Sequence, residues 1–169
     1  MTIHDPRMAP RRDGGGMCAP GGATVSDLRM MDGERALAVM MFRDSFVGPD
    51  GTERVRGLFA EALGSEAGTT AFSDWSAFLK GLVRHARRPL MRHALTCTCV
   101  GADEAVIAEI LYRCARGERE DAMLVLALIV PGDRLPLLMA EAERIGGSIM
   151  QVAQHYRKTM SATASCHLH

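Results

Sequence analysis

Apolar positions recur at helical spacing along most of this chain, and the pattern lays out a series of helices before any other property is consulted. Val55, Leu58, Phe59, Ala62 and Leu63 step by three and four residues, ending at Gly64, a residue suited to a left-handed stop. The same spacing links Trp75, Phe78, Leu79, Leu82, Val83 and Ala86 behind Ser73, a natural helix cap. Val106, Ile107, Ile110, Leu111 and Cys114 make a third stripe over about 102–116, closed by Gly117. Because Cys114 falls inside that stripe, it reads as a small core residue rather than a nucleophile.

The remaining segments are less regular. Ser26 caps an expected first helix reaching about Phe46, with Leu37, Met40 and Met41 on one face and Gly33 weakening its start. Gly48-Pro49-Asp50-Gly51 reads as a turn, so the second helix is expected from Thr52. Pro89 breaks the third helix and opens a short one over 90–95. Charges at 118–121 lead into the uninterrupted apolar run Ala122 to Val130, which predicts a helix at the centre of a bundle. A buried strand of nine residues fits the same run, but it has no second strand of comparable strength to pair with. From Asp133 to about 158, Leu135, Leu138, Ala142, Ile145, Ile149, Val152 and Tyr156 form a continuous seam. Gly146 and Gly147 within it would let another helix approach closely, or mark a kink.

These segments predict an all-α fold, a single bundle of about six helices over residues 26–158. Residues 1–25, rich in glycine and proline, predict a flexible tail, and the polar residues 159–169 a frayed one.

Composition narrows the partners. Twenty acids balance twenty bases, so no global field recruits nucleic acid or an anionic membrane. Nine residues are too few to span a bilayer, so no membrane partner is expected. Five cysteines are an odd number in a chain with no apolar leader, which points to a reduced, cytoplasmic protein. Eighteen of the twenty basic residues are arginine, and with abundant alanine and glycine this suggests a GC-rich bacterial gene.

Chemistry concentrates in one place. The stretch HALTCTCVGADE puts His93, Cys97, Cys99, Asp103 and Glu104 within twelve residues. Imidazole and thiolate are preferred zinc ligands, so a zinc site here would use His93, Cys97 and Cys99, with Asp103 or Glu104 as fourth group or base. The bland reading explains the same residues as two packed cysteines, an Asp103 helix cap and a surface histidine. A redox dithiol lacks the usual two-residue spacing, and the terminal Cys166-His167-Leu168-His169 would need ordering to hold a metal. A second feature is the basic face Lys80, Arg84, Arg87 and Arg88, which suits an anion or nucleic-acid contact. It equally suits solvated cations near a helix C-terminus, and no aromatic residues interleave it to stack bases.

The function read from this is a small helical interaction or regulatory module acting as a homo-oligomer, dimerising through the seam of the last helix or meeting a protein partner. The alternative is a zinc protein, with the His93 to Glu104 stretch its sole route to catalysis.

Overall fold

The computed structural model describes residues 23–166, with side chains described through 161. The flexible tail expected over residues 1–22 and the terminal Cys166-His167-Leu168-His169 cluster therefore lie outside the described residues and side chains. Six helices make an all-α bundle: α1 (Gly33–Asp44), α2 (Pro49–Leu63), α3 (Ser65–His85), α4 (Ala102–Ala115), α5 (Arg119–Leu126) and α6 (Leu135–Cys166). A two-stranded antiparallel ribbon, β1 (Thr24–Asp27) with β2 (Cys99–Gly101), closes one side. Among the described residues no helix is long and apolar enough to cross a membrane.

The long α6 is the central element, packing against α1, α2, α3, α4 and α5. Its seam is the reason. Leu138, Ala142, Ile145, Ile149 and Val152 are buried, while Leu135 and Tyr156 are partly buried against the same core. The chain's own helices thus fill the surface that the sequence offered to a dimer partner. Gly146 gives the close approach its size predicts: a Cβ there would lie 2.9 Å from both Leu111 O and Ala115 N of α4. The helix then continues to Cys166, past the point where polar composition predicts fraying.

The run Ala122 to Val130 is helical only to Leu126, and it does not occupy the centre. Its buried members are Ala122, Leu126, Ile129 and Val130, which is ordinary helical spacing hidden inside an unbroken apolar string. Met123 and Val125 are partly buried against the same core, and Leu124 and Leu128 face outward, 70% and 67% exposed.

Three boundaries differ from expectation for identifiable reasons. Residues around Ser26 form β1 rather than a helix start, and α1 begins at Gly33 behind Asp32, whose carboxylate accepts from Arg35 N at 2.9 Å. The pairing that decides this is with β2, more than seventy residues away, and both strands are too short to display a period of two. Pro49 supplies the first turn of α2, so the predicted turn is already helix. Gly64, at φ 84°, is the single residue between α2 and α3, and Ser73, expected to cap the helix, lies inside α3, which begins at Ser65. The buried positions there are Gly68 and Ala71, too small to register as an apolar stripe. Gly68 seats α3 on the end of α2, where a Cβ would come within 2.7 Å of Ala60 Cα and Phe59 O.

Trp75 lies in the core as expected, 1% exposed, and its indole donates to Ser45 Oγ at 2.9 Å. Ser45 Oγ in turn donates to Met41 O at 2.8 Å, so the buried polar groups of this layer are matched.

Candidate functional site

Between α3 and β2 the chain runs as an irregular strap, residues 86–98, where a short helix over 90–95 was expected. Carboxylates from α4 explain its shape. Asp103 Oδ2 accepts from Met91 N at 2.7 Å, and Glu104 Oε1 accepts from His93 N at 2.8 Å. Those two donors are thereby withdrawn from any helical ladder.

Glu104 is fully buried, and it takes four donors. Arg43 Nε and His93 N reach Oε1 at 2.8 Å each. Arg43 Nη2 at 2.9 Å and Gly101 N at 2.8 Å reach Oε2. The last bond ties the α4 start, because Gly101 precedes the helix and has no side chain of its own to cap it. Arg43, also fully buried, spends its other donors on backbone carbonyls: Cys97 O at 2.5 Å, Cys99 O at 2.6 Å and Ala94 O at 3.3 Å. The fork of a guanidinium suits this task, since it offers five N–H groups in one plane. One ion pair therefore holds α1, the strap, β2 and the start of α4 together.

Asp103 is not the α4 cap but its second residue, and it is 3% exposed. Arg88 Nη2 and Nη1 bind its two oxygens in a fork, each at 2.7 Å. Arg88 thus leaves the predicted basic face, and its own charge is held more firmly by that hydrogen-bonded carboxylate. Lys80, Arg84 and Arg87 are exposed.

The proposed zinc ligands are close in sequence but do not form a ligand set. Both oxygens of Asp103 and of Glu104 already serve cations and amides. Cys97 is disulfide-bonded, whereas Cys99 and Cys114 are free thiols. His93 is 3% exposed rather than a surface base, with Nδ1 3.8 Å from Cys97 Sγ and Nε2 unpartnered. Among the described residues no group of three or more His, Cys, Asp or Glu is placed to hold a metal ion.

Arg43 was the functional residue that sequence reasoning missed. It sits four residues after Val39, on the buried side of α1, and an arginine on an apolar stripe was the available signal. Cys114 behaves as expected. Burial pushes its thiol up to about 11, which leaves it protonated and unreactive at neutral pH.

Glu141 on α6 is the other orphan, its Oε2 buried with no donor against Gly81 of α3. Burial raises its pKa, opposed by the charge of Arg144. A raised carboxylate contributes stability while protonated and loses it as pH climbs through the folded value. Glu141→Gln is therefore expected to gain less than about 1 kcal/mol at neutral pH, reduced by partial solvent screening. Denaturant titrations should show the gain disappearing once the pH falls below the ordinary glutamate range.

The chain matches no protein-family model, no curated protein and no solved structure.

Proposed function

We propose that this protein is a helical interaction module that works as a homo-oligomer, and that its contact surface is the end of the bundle where α5 turns into α6. The observation that carries this is the exposure of three large leucines flanking that turn: Leu124 at 70%, Leu128 at 67% and Leu137 at 51%. Leu124 lies in the last turn of α5 and Leu128 two residues past its end, in the turn that Leu128 N closes on Val125 O. Single exposed leucines need no explanation, but three between the end of α5 and the first turn of α6 are what a partner would cover. The proposed contact is distinct from the α6 seam, whose members Leu138, Ala142, Ile145, Ile149 and Val152 are buried in the core.

Sedimentation equilibrium tests it. The wild type is expected to self-associate at high micromolar concentration, and the double variant Leu124→Glu, Leu128→Glu to sediment as monomer, with the wild-type melting temperature at concentrations where both are monomeric. A wild type that remains monomeric throughout ends the homo-oligomer reading.

The zinc reading is left without support, since two carboxylates and one of its sulfurs are committed elsewhere. Protein grown in zinc-supplemented medium is expected to carry no stoichiometric zinc by elemental analysis. One zinc per chain, lost on Cys99→Ser, would restore that reading.

A further inference from the structure

The arginines of this protein are unevenly satisfied. Twelve of those in the described residues have a carboxylate within ion-pair distance, from Arg29 with Asp27 to Arg157 with Glu34. Among the described residues three arginines have none, and all three lie in one stretch: Arg84 in the last turn of α3, and Arg87 and Arg92 in the strap. The sequence explains how this arises. From Trp75 to Ala102 there is not one aspartate or glutamate, so the charges there can be met only from other elements. Asp103 and Glu104 are the nearest acids that follow, and they are spent on Arg88 and Arg43.

Arg92 has the least favourable setting of the three. It is half-buried, and its one hydrogen bond is to Phe46 O at a long 3.3 Å. Burial disfavours its charge, and the attraction of Glu104 is opposed by repulsion from Arg43. A cation kept in such a place without a counter-ion gains most from one brought by a partner. Arg84 and Arg87 are exposed. The strap that carries Arg87 and Arg92 is held in place, because Arg87 N donates to Ile129 O at 2.9 Å and Met91 N and His93 N are bound to α4.

We propose that the end of α3 and the strap behind it, presenting Arg84, Arg87 and Arg92, form a docking surface for an acidic segment of a protein partner. Carboxylates match the surface because the guanidinium fork binds them in pairs, as Arg88 does with Asp103 within this chain. Nucleic acid matches it less well. Of the aromatic residues nearby, Trp75 and Phe78 are buried and Phe46, whose carbonyl Arg92 binds, is partly buried against the core, so the surface offers no exposed row of rings on which successive bases could stack. The chain also carries no net charge to draw in a long polyanion.

The test is fluorescence anisotropy of a fluorescein-labelled octaglutamate peptide titrated with the full-length protein at low and at physiological salt. Binding is expected, weakening as salt rises. Arg84→Ala, Arg87→Ala and Arg92→Ala should each raise the Kd by about three- to tenfold, roughly the value of one largely solvated ion pair. Arg116→Ala and Arg134→Ala are the controls, since these half-exposed arginines already have Glu118 and Asp133. They should leave the Kd unchanged. Should Arg92→Ala unfold, the exposed Arg84 and Arg87 still decide the matter. The proposal is overturned if the peptide does not bind at low salt, if the controls weaken it as much as the three variants, or if single-stranded DNA of equal length binds more tightly. None of these outcomes depends on self-association, so this surface and the leucine contact stand or fall separately.

Discussion

Replacing Glu104 with alanine is expected to cost about 3–5 kcal/mol of folding stability, a large share of what a domain of this size holds. The loss comes from what the side chain leaves behind. Arg43 would remain fully buried with no counter-charge, and the amides of His93 and Gly101 would lose their acceptors. Each of those is an unsatisfied buried donor, worth about 1–3 kcal/mol on its own. Damage should be local before it is global. Hydrogen exchange in the strap and in β1, both tied to this corner, is expected to accelerate at denaturant concentrations where α6 remains protected. The double variant Arg43→Met, Glu104→Met separates two explanations. In many buried ion pairs such a swap recovers the stability, because the pair does little beyond neutralising itself. Here the pair also satisfies the carbonyls of Ala94, Cys97 and Cys99, so the double variant is expected to stay well below wild type in a guanidinium titration. Full recovery would mean that the backbone finds other partners and that the pair is dispensable.

Ile145→Asp is expected to be as damaging, by about 4 kcal/mol or more, with Ile145→Val costing only about 1 kcal/mol. Ile145 is fully buried in the middle of α6. A carboxylate placed there has no cation of its own to meet, because the neighbouring seam positions are aliphatic. The same variant decides where the seam belongs. With the seam filled inside one chain, the contribution of Ile145 is expected to be independent of protein concentration. A wild-type unfolding midpoint that rose with concentration while that of Ile145→Asp did not would return the seam to a subunit interface.

Much of the bundle was legible because helical burial repeats within a few residues. The stripes from Val55 to Leu63, from Trp75 to Leu82 and from Val106 to Leu111, and the seam from Leu138 to Val152, each contain their own evidence. Failures follow the same logic from the other side. The first half of α3 buries Gly68 and Ala71, whose contact with α2 depends on being small, and smallness leaves no hydrophobic signal. In α5 every residue from Ala122 onward is apolar, so composition could not tell the inward Leu126 from the outward Leu124.

The crowded stretch from His93 to Glu104 stands out in the sequence, and its residue types suggest a ligand set. What the sequence alone determined is that imidazole, thiols and carboxylates lie close along the chain, between two helices that its periodicity specifies. Only the tertiary structure decided which way those groups spend their bonds. Arg43 arrives from α1, 61 residues before Glu104, and takes both of its oxygens. Arg88, from within the strap, does the same to Asp103. A buried carboxylate binds the strongest cationic donor within reach, and which donor that is depends on how helices pack, a distance in space that no local spacing encodes.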